Sequence, residues 1–217
     1  MDKVELIKYI SDEFATGKIR KKLFPMITKF GVRDYSETVH SIGLNYITAI
    51  ARTIEGVTAI SECPVYPCES NYNSGSFAEK VAETRAIYSV NKELSVRPDS
   101  IWYSTEDNRP LLICEFERYE RNRNKNKKLE EKIQNLLIAY HQLGGNIPLI
   151  LFVYWTYPKV TPGDISNYIN IFDQGFVMKN GTRVPGINGR ITQYMVYHCV
   201  ASGDKNSLTL NQWIRIR

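Results

Sequence analysis

Four cysteines occur in 217 residues, Cys63, Cys68, Cys114 and Cys199, and no two of them form a CxxC pair. A structural zinc site needs a closely spaced pair with further partners. Cys63 and Cys68 flank a proline-containing segment and have no second pair. Cys199 adjoins His198, but neighbouring strand residues point to opposite faces and would not share an ion. Free thiols in a reducing, cytoplasmic setting are the expectation. Long apolar runs are equally scarce. The longest, Ile147 to Trp155, contains Pro148 and is of strand length, well short of the ~20 residues that span a bilayer. Residues 1–15 carry acids at amphipathic spacing, so the sequence predicts no secretory signal and no membrane partner. Excess charge is small too. A formal net charge of +5 permits an anionic partner without demanding one.

No internal repeat and no domain-splitting linker interrupts the chain, and a 43% hydrophobic share suits one globular domain over 1–217. Residues 1–35 read as N-terminal helices, with a turn at Thr16-Gly17 and a basic second piece, KIRKKLFPMITKF. Ser36 is placed to cap a helix with apolar Val39, Ile42, Leu44, Ile47 and Ile50, which Gly56 would end. Glu37 falls in its first turn, where a carboxylate suits the helix dipole. His40, one turn on, reads as a packed or surface histidine. Val57 to Tyr66 reads as a strand, and 67–93 as an insertion that carries a short helix with Glu79. From Leu129 to Leu143 the apolar spacing is helical and Gly144-Gly145 ends it. Ile147 to Tyr154 is a buried strand. Residues 158–217 form a β-rich extension with a short helix at ISNYINIF, hairpin-type turns at Asn180-Gly181 and Asn188-Gly189, and two final strands.

Between these lies the stretch that bears the chemistry, RPDSIWYSTEDNRPLLICEFERYE from Arg97 to Glu120. It reads as two strands joined by a polar turn. The second strand starts apolar and becomes acidic at Glu115 and Glu117, which a buried strand tolerates only where something cationic meets it. Residues two apart share a face, about 6.6 Å apart at about 3.3 Å per residue. Asp99, at the head of the neighbouring antiparallel strand, lies beside them if the turn closes near Asp107-Asn108. Three converging carboxylates repel unless a divalent cation joins them, and hard oxygen ligands suit Mg²⁺ or Mn²⁺.

Pro98-Asp99, a 15-residue gap and Glu115-Phe116-Glu117 resemble the PD-(D/E)xK nuclease superfamily. That resemblance covers about half the chain. It implies an α/β, restriction-endonuclease-like core over about 36–157: a helix, a three-stranded meander, a helix and a strand, in a mixed sheet flanked by helices. It implies that Asp99 and Glu115 are metal ligands. Glu117 would then stand at the position of the motif lysine, and Glu37 would match the additional first-helix acid. Glutamate supplies no positive charge; some restriction endonucleases of the superfamily carry glutamate here and use metal-bound water, and a lysine or arginine from elsewhere could also take the place. Arg118 points to the other face, which leaves Arg97 or Lys132. The repair-nuclease signature, glutamine then tyrosine four residues on, is not met, because Gln134 is followed there by Ile138.

Six cations, Arg118, Arg121, Arg123, Lys125, Lys127 and Lys128, crowd into eleven residues just past the acids. They lead into a helix N-terminus, where cations oppose the dipole and local stability does not explain them. Interleaved asparagines add hydrogen-bonding reach to phosphates or base edges. The expected function is therefore a Mg²⁺-dependent DNA endonuclease of restriction type acting on double-stranded DNA, with symmetric sites implying a homodimer. The alternative is a catalytically inactive nucleic-acid-binding relative of the same fold. Glu37, Glu62 and Glu79 are the candidates to complete the site.

Overall fold

Asp2 accepts a hydrogen bond from the Glu5 amide while the Glu5 side chain accepts one from the Asp2 amide, and this capping box starts α1, Lys3–Thr16. Gly17, at φ 63°, supplies the left-handed residue that ends it. A computed structural model describes residues 2–35, 37–65, 95–119, 123–160, 162–163 and 165–217, with the backbone alone at 123–126. The expected insertion with Glu79, and the capping role of Ser36, lie outside these residues.

The basic second piece forms α2, Lys18–Leu23, and a π-helical turn, Met26–Phe30. Next, α3 runs Thr38–Arg52. Its apolar stripe buries Val39, Leu44, Ile47 and Ile50, and it stops short of Gly56. The three-stranded meander follows, with β1 Val57–Ser61, β2 Ser100–Ser104 and β3 Pro110–Arg118. β1 is shorter than the apolar pattern suggests, because Glu62 adopts a left-handed φ of 54° and breaks the strand. Helix α4 spans Arg123–Gln142. The basic run is thus helical from Arg123 onward instead of merely preceding a helix, in keeping with the good helix propensity of Lys and Arg. β4, Leu149–Thr156, is buried along its whole length.

The C-terminal part supplies α5, Ile165–Gln174, then β5 Phe176–Val177 and β6 Arg183–Val184, and finally β7 Gln193–Asp204 and β8 Ser207–Arg215. Asn180-Gly181 does turn the β5–β6 hairpin. Asn188-Gly189 instead makes a turn into β7, with the Asn188 carbonyl accepting from Ile191 and Thr192. No helix among the described residues is long and apolar enough to cross a membrane.

The main sheet is mixed, with six strands in the order β1-β2-β3-β4-β7-β8. β1, β2 and β3 are antiparallel, β4 lies parallel to β3, β7 lies parallel to β4, and β8 returns antiparallel. One face packs Leu112, Cys114 and Phe116 of β3 against α1 and α3. The other packs Ile113 against Leu129, Ile133 and Leu136 of α4. By alternation, Glu115 and Glu117 share the face of Ile113 and look toward α4. Gly43 sets the fit of α3 on β3, since a Cβ there would lie 2.2 Å from the Phe116 ring. Such close approach brings the first turn of α3 to the end of the sheet where the acids emerge.

Candidate active site

Ser100 pairs with Cys114, so the next residue back, Asp99, stands opposite Glu115 across the antiparallel ladder. Asp99 is fixed on one side by the Phe116 amide, which donates to its Oδ2 at 2.7 Å. From beneath, the Thr48 hydroxyl lies 3.0 Å from that of Ser61 and 3.4 Å from that of Ser100, which ties α3 to the head of β2. Asp99, Glu115 and Glu117 are all buried. Three carboxylates buried within two strands of each other demand cations.

Helix α4 provides them. Lys132 Nζ donates to Glu115 Oε2 at 2.7 Å and lies 3.8 Å from Asp99 Oδ1. One turn earlier, Lys128 Nζ donates to Glu117 Oε1 at 2.8 Å. Spacing of four on a helix matches spacing of two on a strand, at about 6 Å in each case, so the two lysines meet the two glutamates in step. Lys132 was one of two candidates for the missing motif cation. The other, Arg97, is instead bound to Glu62 at 3.1 Å.

Charge balance at the inner pair is incomplete. Burial alone would lower the Lys132 ammonium, but Glu115 and Asp99 outweigh it and hold the group protonated well above the usual lysine range. The Glu115 carboxyl is nevertheless pushed up, first by burial and then by Asp99, with Lys132 only partly opposing both. Both directions follow from one ammonium serving two carboxylates. Asp99 and Glu115 bring carboxylate oxygens together around a single ammonium, and oxygen donors of this kind could hold a divalent cation.

Beside this pair a cleft of about 170 Å³ is lined by Asp34, Glu37, His40, Glu117, Arg118 and Lys128, among others. Glu37 occupies the N-cap position of α3 without capping it and is exposed to the cleft. His40 packs, as the sequence suggests, against the Phe116 ring, with centroids 6.2 Å apart. It is neither purely core nor surface, and its Nε2 lies 3.6 Å from Asp99 Oδ1. Glu62 lies at the end of β1, and its amide donates to the Asp99 carbonyl at 3.0 Å.

The predicted nucleic-acid contacts divide. Arg118 turns to the other face, as alternation requires. It pairs with buried Asp34 at 3.0 Å and stacks over Trp155 and Tyr157 at 5.0 and 5.1 Å. Asp34 also accepts from the Tyr157 hydroxyl. Lys127 and Lys128 are exposed on α4. Arg121 and the side chains of Arg123 and Lys125 lie outside the described residues. Cys63, Cys114 and Cys199 are free thiols, and burial raises both Cys114 and Cys199, which makes them poor ligands. No protein-family model, curated protein or solved structure matches the chain.

Proposed function

We propose that this chain is a Mg²⁺-dependent endonuclease of restriction type that cuts double-stranded DNA, built on a restriction-endonuclease-like core. The observation that carries the reading is the convergence of Asp99 and Glu115 from adjacent strands on the ammonium of Lys132. The order of elements from α3 to β4 supports it, since helix, meander, helix and strand is the order the PD…ExE pattern leads one to expect.

Asp99 and Glu115 would hold Mg²⁺, with Glu117 and Glu37 on its cleft side. The ion would supply a Lewis acid that makes water a better nucleophile and offsets charge gathering on the phosphate. Lys132 fills the role left vacant by Glu117. Held protonated by its two carboxylates, it donates hydrogen bonds and cannot accept a proton, so it orients water and faces developing negative charge instead of acting as the base. In the reaction, water oxygen bonds to phosphorus and gives up one proton to solvent, one phosphodiester P–O bond breaks, and the leaving oxygen takes up a proton from solvent in its place. Lys128, which lines the cleft, and exposed Lys127 next to it in sequence would hold the flanking phosphates.

Plasmid incubated with Mg²⁺ tests the reading. Nicked or linear product, lost in Asp99→Ala, is the expected result. Retained DNA binding without cleavage, and with no effect of Asp99→Ala, would instead make the chain an inactive nucleic-acid-binding relative.

A further inference from the structure

Asp99 has two sides. One oxygen accepts from the Phe116 amide, while Oδ1 faces both Lys132 and His40. On the His40 side, a third residue completes a set. His40, Glu62 and Asp99 each offer one ligand atom, and the three atoms lie within 4.8 Å of one another. They come from three different elements: the first turn of α3, the end of β1 and the head of β2. Glu62 reaches this place because its left-handed backbone turns the chain at the end of β1.

We propose that His40, Glu62 and Asp99 form a second cation position, adjoining the one at Glu115 and selective for a first-row transition ion over Mg²⁺. The donor set decides the selectivity. Mg²⁺ prefers oxygen and keeps most of its water, whereas an imidazole nitrogen favours transition ions. The present partners do not block entry. Glu62 is bound to Arg97, but both side chains are about half exposed, at 46% and 60%, and such a pair contributes little that a divalent ion could not replace. Asp99, shared between the two positions, would link their occupancies.

The inference deepens the endonuclease reading, but its test needs no cleavage. The full chain is titrated with Mn²⁺ and with Mg²⁺ by calorimetry, and the Mn²⁺-loaded protein is examined by pulsed electron paramagnetic resonance for coupling to a directly bound nitrogen. The expected results are tighter binding of Mn²⁺ than of Mg²⁺, a nitrogen coupling in the unmodified chain, and loss of that coupling in His40→Asn. The same variant should bind Mn²⁺ about 10- to 100-fold more weakly, with Mg²⁺ affinity unchanged. Absence of nitrogen coupling in the unmodified chain overturns the proposal whether or not the variant folds. So does an equal loss of both cations in His40→Asn, which would mark a general disturbance of Asp99. Nitrogen coupling without plasmid cleavage would leave this position standing and remove the endonuclease reading; cleavage without coupling would do the reverse.

Discussion

The Lys132 ammonium donates to the Glu115 carboxylate at 2.7 Å, joining the middle of α4 to the centre of β3. On the proposed endonuclease reading, this contact supplies from a helix the cation that the strand lacks at Glu117. If the chain cleaves DNA as proposed, Lys132→Ala should reduce cleavage by about 10²- to 10³-fold, the usual effect of removing one preorganised donor. It should also destabilise the metal-free chain by about 3 kcal/mol, because Asp99 and Glu115 stay buried without their counter-charge. Added Mg²⁺ should restore part of the melting temperature while leaving the rate low. Measuring both separates the structural role of the lysine from its chemical one.

Asp99 and Glu115 were legible in the sequence because strand alternation and a short turn fix which residues face each other across a ladder. The helices around them were legible for a similar reason, namely strong apolar periodicity in α3 and α4. His40 was not. Its contact with Asp99 depends on how closely α3 approaches β3, and that distance is set by Gly43 against Phe116, a packing relation between distant residues. The choice of Lys132 over Arg97 had the same origin, since it depends on Glu62 reaching Arg97 from a left-handed turn at the end of β1.

Gly43→Ala probes that packing directly. The new methyl would meet the Phe116 ring at 2.2 Å, and α3 and β3 would have to separate. A loss of about 1–3 kcal/mol in urea denaturation is expected for such overpacking. Because His40 sits on the same helix one turn earlier, the cleavage proposed for this chain should fall further than stability alone explains, under conditions where the variant is fully folded.

His198 gives a pH signature away from the acids. It stacks on the Tyr154 ring at 4.7 Å, its Nε2 lies 2.8 Å from the Thr156 hydroxyl, and burial holds its pKa below the ordinary value. The folded chain therefore binds this proton less readily than the unfolded chain. The stability it contributes is full above the unfolded value, about 6.5, and declines as pH falls through the lower folded value. The melting temperature of the unmodified chain should drop more between about pH 7 and pH 5 than that of His198→Asn. Parallel profiles for the two proteins would show that the imidazole does not titrate differently on folding.

On the proposed reading, a substitution at Lys128 separates DNA binding from metal binding. Its side chain is half exposed while its ammonium is bound to buried Glu117 at 2.8 Å, and it lines the cleft, between an acid and the solvent that DNA would occupy on the proposed reading. If it contacts a phosphate, Lys128→Ala removes one released counterion, and the slope of log affinity against log salt should flatten by about 0.9. Its removal also frees Glu117 from an ion pair that competes with a divalent cation, so Mg²⁺ affinity should rise. The two measurements are therefore expected to move in opposite directions. A variant that loses both would place Lys128 in the scaffold of the site, and one with an unchanged salt slope would take α4 out of the DNA-binding surface.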